Sequence, residues 1–151
     1  MKRRTFALLI LLYCCTNALY PQVFTHSDSA FAAAKANSKP VLLVFSGSDW
    51  CAGCMRFEKQ VLRDSVFNAE RKKYMVILRA DFPQRTQLSA RLIHQNDSLA
   101  AIYNRAGLFP HIVLINPNDT QQQQTISYTT QSAIEFITEL KNLLPSIGYH
   151  D

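Results

Sequence analysis

Apolar residues along the chain gather into short continuous runs that are separated by segments with helical spacing. Three largely apolar runs, at residues 41–45, 75–78 and 111–115, are bounded by polar or turn-forming residues. Such runs are typical of strands buried on both faces, as in the centre of a parallel or mixed sheet. Residues 122–128 alternate between apolar and polar, which predicts an outer strand joined to the third strand by a turn at residues 116–119.

Helical periodicity marks the segments around these strands. Helices are predicted at residues 28–36, 51–63, 88–103 and 133–144. We expect Asp28 or Ser27 to cap the first helix and Asp64 to cap a short continuation of the second. The third helix is expected to break near Asn96-Asp97. This order of helices and strands predicts an α/β fold, and the length favours one domain.

The first eighteen residues differ in kind from the rest. Three basic residues at positions 2–4 precede an uncharged run from Phe6 to Tyr13, and small residues follow. The pattern is typical of an export signal, and the run is too short to span a bilayer as a stable helix. We predict a signal peptide at residues 1–18, cleaved after Ala18, and one domain at residues 19–151. The mature protein is then periplasmic or secreted.

A lipid-modified cysteine is the alternative to cleavage after Ala18. Cys14 or Cys15 would then form the new N-terminus and anchor the protein to a membrane. Tyr13 is bulky for the position before a modified cysteine, and Leu12-Tyr13-Cys14-Cys15 matches a lipid-attachment site poorly. Cleavage by a signal peptidase is the favoured interpretation.

The charge of the domain gives no support to nucleic-acid binding. The chain carries +5, but three of its 16 basic side chains and none of its 11 acidic ones lie in the first eighteen residues. The remaining 13 basic and 11 acidic side chains leave a charge of only +2. The basic run Arg71-Lys72-Lys73 is therefore expected to be a solvated helix end and not a phosphate site.

Cleavage leaves Cys51 and Cys54 as the two cysteines of the domain. A bridge between such close residues closes a tiny loop and adds little stability. A structural zinc site needs two more ligands, and the candidates are the scattered residues His26, His94, His111 and His150. Haem attachment needs a histidine where Met55 stands. A redox pair is favoured over a purely structural disulfide, and we expect no metal and no cofactor.

The spacing of the two cysteines suits a two-step exchange of disulfides. Cys51 is predicted at the first turn of a helix, where the exposed amides favour the thiolate and lower the pKa of the thiol. Cys54 lies one turn further on the same side. It can therefore release a mixed disulfide that Cys51 forms with a partner.

Three segments resemble the thioredoxin superfamily: Lys39-Pro40-Val41-Leu42-Leu43-Val44-Phe45, Ser48-Asp49-Trp50-Cys51-Ala52-Gly53-Cys54 and Gly107-Leu108-Phe109-Pro110. The pattern Asp49-Trp50-Cys51-x-x-Cys54-x-x-Phe57-Glu58-Lys59 is similar to the C-terminal domain of the periplasmic thiol:disulfide interchange reductase and to its small exported relatives. The resemblance covers nearly the whole domain. It implies a thioredoxin-like three-layer α/β/α sandwich with a central mixed sheet and the activity of a thiol:disulfide oxidoreductase.

The resemblance also implies roles for residues around the pair. Pro110 would be cis and lie beside the first cysteine, exposing the backbone of Phe109 to a substrate strand. Trp50 would cover the site, and Glu58 would lie near the second cysteine and help to take its proton. The alternatives are ordinary packing for Trp50 and a solvated helix position for Glu58.

Three positions depart from the family pattern. Phe45 occupies the place where thioredoxins carry a buried acid, so proton transfer at the second cysteine must use Glu58, water or nothing. Gly53 replaces the usual proline of the motif. The spacing from Gly107 to Pro110 is one residue longer than is common.

Two functions remain open at this point. The first is an exported enzyme that reduces or interchanges disulfides of protein substrates, with a membrane thiol protein as the electron donor that net reduction requires. Without a donor the same residues would oxidise or isomerise. The second is a non-enzymatic module of the same fold that binds a client, or a copper ion through the two thiols and His111; the wider cysteine spacing of copper carriers counts against it. We expect a monomer.

Overall fold

The computed structural model describes residues 23–149. The predicted signal peptide at residues 1–18 and the alternative lipidation at Cys14 or Cys15 lie outside these residues. No helix within residues 23–149 has the length and hydropathy of a membrane span. The elements, in chain order, are α1 Ser27–Ala36, β1 Val41–Ser46, α2 Ala52–Phe57 with a π-helical continuation Glu58–Leu62, α3 Ser65–Tyr74, β2 Val76–Asp81, α4 Ala90–Tyr103, β3 His111–Ile115, β4 Gln123–Ile126, α5 Ala133–Leu143 and a short 3-10 turn Leu144–Ile147.

The four strands form one mixed sheet in the order β2-β1-β3-β4. Strand β1 runs parallel to β2 and antiparallel to β3, and β3 pairs with β4 as an antiparallel hairpin. All six residues of β1 are buried. The expected central mixed sheet is confirmed, with the apolar run of β1 at its centre.

Helices cover both faces of the sheet. Successive residues of a strand point to opposite faces, and so Leu42 and Val44 pack with α2, α3 and α5 while Leu43 and Phe45 pack with α1 and α4. The first of these cores centres on Phe136, whose ring meets those of other buried aromatic residues. The three-layer α/β/α sandwich is confirmed.

The predicted break in the third helix is wrong. Helix α4 runs without interruption from Ala90 to Tyr103. Asn96 is buried, and its Nδ2 donates a hydrogen bond of 2.8 Å to the carbonyl of Asp81. Because this side chain has a tertiary partner, it does not compete for the backbone hydrogen bonds of its own helix.

The prediction of a solvated basic helix end is wrong for one of its three residues. Lys72 and Lys73 are exposed, but Arg71 is only 4% exposed, and its Nε donates to Asn68 Oδ1 at 3.0 Å. Arg71 follows the buried Phe67 by four residues, which places both on the inner face of α3.

Of the two predicted N-caps, that of α3 is confirmed and that of α1 is wrong. The Asp64 carboxylate accepts from the backbone N–H of Phe67 at 2.9 Å and so caps α3, as expected. The N-cap position of α1 is His26, whose side chain makes no capping hydrogen bond. Ser27 instead lies in the first turn and donates through its backbone and hydroxyl to Gln95 Oε1.

Candidate active site

Cys51 and Cys54 lie where the chain leaves β1 and enters α2. They form a disulfide with Cα atoms 5.2 Å apart. Cys51 is the N-cap of α2, and its Sγ accepts a hydrogen bond of 3.1 Å from the backbone N–H of Cys54. The sulfur therefore occupies the place of a capping oxygen, at the helix end where the exposed amides favour negative charge.

The two sulfurs differ in their surroundings. Cys51 is 7% exposed and Cys54 is 3% exposed. The backbone N–H of Gly47, at the end of β1, points at Cys54 Sγ with a separation of 3.4 Å. Cys51 is thus slightly the more exposed residue of the pair, and Cys54 is held by the amide that follows β1.

Trp50 is held in place beside the pair. The residue is 39% exposed, and its Nε1 donates a hydrogen bond of 2.7 Å to the carbonyl of Phe82. The indole meets the ring of Phe109 edge-on at 5.3 Å, and Phe109 meets Phe82 in the same way at 5.5 Å. Trp50 therefore combines packing with an exposed face at the rim of the site.

The Phe109–Pro110 peptide bond is cis, as the resemblance implied. Pro110 lies against the cysteine motif, since a Cβ atom built on Gly53 would be 3.2 Å from Pro110 Cδ. A larger residue at position 53 would press on this proline. The structure thus brings together the two segments that the sequence placed more than fifty residues apart.

Asn104 closes the loop that leads to the cis proline, a role that was not predicted from the sequence. Its Nδ2 donates to the carbonyl of Leu108 and its Oδ1 accepts from the N–H of the same residue, both at 2.9 Å. The loop passes through Gly107, which has the positive φ of 64° that glycine adopts readily. An asparagine at a helix end, three residues before a glycine, was the available signal.

Asp49 ties the motif to the segment that follows β2. Its carboxylate accepts from the backbone N–H groups of Gln84, Arg85 and Thr86 at 2.8, 2.8 and 3.1 Å. These hydrogen bonds, that of Gln84 foremost, lower the pKa of Asp49. In the sequence, Asp49 was recognisable only as part of a motif, because the three amides that it binds are brought to it by the fold.

Glu58 lies on the turn that follows Cys54, and the structure places it beside a cavity. One carboxylate oxygen pairs with the guanidinium of Arg79 on β2, and the other accepts from Arg63 Nε at 3.1 Å. The cavity measures about 300 Å³, and it is lined by Ser46, Ser48, Cys54, Met55, Glu58, Lys59, Arg63 and Arg79. Glu58 is therefore a paired, partly buried acid that shares a cavity with the second cysteine.

His111 is held by partners other than the thiols. Its Nε2 lies 2.9 Å from the carbonyl of Tyr103, and its ring packs at 5.8 Å from that of Phe45. Phe45 is fully buried in the place of the missing acid. Within residues 23–149, no three His, Cys, Asp or Glu side chains are grouped as they would be to hold a metal ion.

The chain belongs to the thioredoxin-like family, whose model matches residues 22–117. It is similar to the disulfide bond reductase DsbH of Chlamydia pneumoniae, with 28% identity over 125 residues that cover 83% of this chain and 70% of that protein. A solved structure of DsbH oxidoreductase superposes with a TM-score of 0.74 and 25% identity, over 81% of this chain and 83% of that one.

The fold is also that of the oxidised C-terminal domain of Neisseria meningitidis DsbD, with a TM-score of 0.52 and 17% identity over 80% of this chain and 97% of that one. The similarity to DsbH extends to the sequence, whereas the similarity to the DsbD domain is one of fold alone. Together with the disulfide-linked Cys51-x-x-Cys54 motif, it defines the chain as a thiol:disulfide oxidoreductase.

Asp49→Asn is expected to loosen the segment that Asp49 binds, because an amide offers one acceptor oxygen where the carboxylate offers two. The N–H groups of residues 84–86 should exchange faster with D₂O, as measured by NMR. The N–H of Phe82, which donates to the carbonyl of Ser46 at 2.7 Å, is an internal control that should not change. Unchanged exchange at residues 84–86 would contradict the assigned contacts.

The same variant carries a prediction about pH. Because the pKa of Asp49 is lowered below 3.8 in the folded protein, its contribution to stability is present above pH 3.8 and disappears as the pH falls through the folded-state pKa. The difference in Tm between the wild type and Asp49→Asn should follow that course in thermal melts. A difference that grows on acidification would be the opposite result.

Asn104→Ala is expected to impair reaction with protein disulfides more than with small disulfides. The variant leaves the N–H and C=O of Leu108 without their partner, at a cost of about 1–3 kcal/mol, and so loosens the loop before Pro110. The measurement compares exchange rates with insulin and with oxidised dithiothreitol. Asn118→Ala removes an exposed asparagine from a distant turn and should leave the ratio unchanged. An equal loss with both substrates would argue against a role for the loop.

Proposed function

We propose that this thiol:disulfide oxidoreductase is an exported reductase of protein disulfides, with Cys51 as nucleophile and Cys54 as resolving thiol. The observation that carries the proposal is a disulfide at a helix N-terminus, in a motif whose Gly53 lies against the cis proline, in a chain similar to a disulfide bond reductase. The direction of the reaction is taken from that relative. Oxidation or isomerisation are the other directions that the same two sulfurs can serve.

The reaction begins with the reduced pair. The Cys51 thiolate attacks one sulfur of a substrate disulfide, and the other substrate sulfur leaves and takes up a proton. Cys54 then loses its proton and attacks Cys51 Sγ, which breaks the mixed disulfide and frees the second substrate sulfur. Two electrons pass to the substrate, and the protein is left with the disulfide seen in the structure.

Glu58 is the proposed proton acceptor for Cys54. It is the one acid among the residues that line the cavity beside that thiol. Asp81 is the acid at the end of β2. Its two carboxylate oxygens accept hydrogen bonds from the N–H and the hydroxyl of Ser48, at 3.0 and 2.6 Å. Phe45 supplies no acid from β1. Because its carboxylate shares the cavity with Cys54, Glu58 is placed to take a proton as the thiol reacts.

Trp50, Phe109 and Pro110 form the proposed binding surface for the substrate. Trp50, which precedes Cys51 in the chain, meets the half-buried Phe109, and Leu108 beside them is 55% exposed. A substrate segment that adds along this loop would gain main-chain hydrogen bonds, which tolerate many sequences, and apolar contacts with the indole. This supports unfolded or flexible proteins as substrates.

Export rests on the sequence. The basic start and short apolar run of residues 1–18 support removal of a signal peptide and a mature domain at residues 19–151. A periplasmic or secreted reductase must be reduced again after each cycle, and a membrane thiol protein is the proposed donor. We propose that the domain works as a monomer without a nucleic-acid partner.

Replacing each cysteine should give opposite results. Cys54→Ser is expected to accumulate a mixed disulfide with a protein substrate, because the resolving thiol is missing; Cys51→Ser should form none and lose insulin reduction entirely. Non-reducing gels and insulin turbidity provide the two measurements. Turnover by Cys51→Ser, or trapping by that variant in place of Cys54→Ser, would overturn the assignment.

The reduction potential decides the direction. We expect a value more reducing than about −200 mV, within the range of reductases of this kind. Equilibration with glutathione or dithiothreitol, read out by alkylation of the thiols, measures it. A value close to that of strong oxidants, about −120 mV, would replace reduction by oxidation as the function.

A further inference from the structure

Arg79 occupies an unusual place for a cation. It lies on β2 opposite Val44 of the buried strand β1, on the same sheet face as Ile77, which packs under α2 and α3. Its side chain is 25% exposed and lines the cavity with Cys54. Taking a guanidinium out of water is costly unless it is paired, so a specific partner must hold it there.

That partner is Glu58. Within residues 23–149, the only side-chain hydrogen bond of Arg79 is the one that its Nη2 donates to Glu58 Oε2, and its Nε is buried with no partner at all. The ion pair joins the strand to the turn that carries the acid, 21 residues earlier in the chain. Arg79 is thus placed for this one contact and not for a wider network.

Glu58 also pairs with a second arginine, Arg63, but this pair is far more exposed to solvent than the pair with Arg79. The side chain of Arg63 is 76% exposed, and Arg63 directly follows the π-helical segment that begins with Glu58. An exposed pair between long side chains contributes little and restrains the carboxylate weakly. Of the two arginines, the one anchored in the sheet is therefore the better placed to restrain the carboxylate.

The charged groups that line the cavity of Cys54 come from two parts of the chain: Glu58, Lys59 and Arg63 from the segment that follows Cys54, and Arg79 from β2. Asp81 is engaged by Ser48. From the opposite side of the helix, the hydroxyl of Tyr128 donates to Gln60 Oε1 at 2.7 Å. The carboxylate of Asp49 accepts hydrogen bonds from the backbone N–H groups of residues 84–86. Among the residues that line this cavity, Glu58 is the one acid.

We propose that Arg79 is a positioning residue for the resolving step: it holds the Glu58 carboxylate at the cavity of Cys54. The inference rests on the proton-acceptor role of Glu58 in the proposed function. As Cys54 attacks Cys51 Sγ, its proton passes to Glu58, the Cys54–Cys51 bond forms, and the bond from Cys51 to the substrate sulfur breaks. The substrate sulfur leaves as a thiolate and the proton of Glu58 returns to it or to water.

The test separates the two steps of exchange. Reduced protein is mixed in a stopped-flow instrument with the neutral chromogenic disulfide dithiodipyridine. The first equivalent of released thione reports attack by Cys51, and the second reports resolution by Cys54. A neutral probe is used so that removal of a cation does not change its encounter with the protein. Both phases are recorded as a function of pH for each variant.

Arg79→Gln is expected to slow the second phase about tenfold or more below neutral pH, with a smaller deficit at high pH where the thiol ionises unaided. Its first phase should stay unchanged. Arg79→Lys keeps the cation and should restore most of the second phase. Arg63→Gln is the matched control: it removes the other arginine from the same carboxylate, and both of its phases should remain within about twofold of wild type.

Glu58→Gln distinguishes the two proposals. If it slows the second phase and Arg79→Gln does not, Glu58 keeps its role and the positioning role of Arg79 is overturned. If Glu58→Gln has no effect, the proton-acceptor role fails, and the positioning role fails with it. Equal slowing by Arg79→Gln and Arg63→Gln would indicate that any positive charge near the cavity has the same effect. That result would also overturn the inference.

A double variant keeps the test decisive if Arg79→Gln does not fold. Glu58→Gln with Arg79→Gln removes both partners and leaves no unpaired buried charge. Because Arg79 acts through Glu58, the second phase of the double variant should equal that of Glu58→Gln alone. A further slowing in the double variant would show that Arg79 acts by another route.

Discussion

Strand β1 is buried along its whole length and hydrogen bonded to a strand on each side, and this constraint determines the geometry of the site. The end of such a strand cannot shift without breaking pairing on both sides and packing on both faces. The chain turns there into α2, so that Cys51 becomes the N-cap and its sulfur meets the N–H of Cys54. The sheet thus delivers one sulfur to a helix terminus and keeps the other behind it.

The rim of the site is held by side chains that satisfy backbone groups. Asp49 binds three consecutive amides of the segment after β2, and Asn104 binds both backbone groups of Leu108. Loops that carry binding residues are ordered by contacts of this kind when they have no regular hydrogen bonding of their own. Both side chains order segments around the cysteine pair, and neither contributes an atom to the disulfide exchange.

The proposed proton acceptor, Glu58, stands on a different element from the buried acid that thioredoxins carry on the strand before the motif. An apolar residue, Phe45, fills the position on β1, while Glu58 approaches Cys54 from the helix and is met there by Arg79 from β2. An acid on the helix lies closer to solvent than one on the central strand, and it needs less compensation for lost hydration. An arginine from the sheet supplies that compensation and also orients the group.

The sequence by itself determined the strands, the helix that starts at the cysteine pair and, through its motifs, the family and the cis proline. Apolar periodicity and close motifs are local, so they can be recognised without knowing which elements touch. Tertiary structure alone decided that Arg79 meets Glu58, that Arg71 is buried, that Asn96 stays helical and that Asn104 closes the proline loop. A polar side chain takes its role from its partner, and partners distant in sequence are joined only when the sheet and its helices have packed.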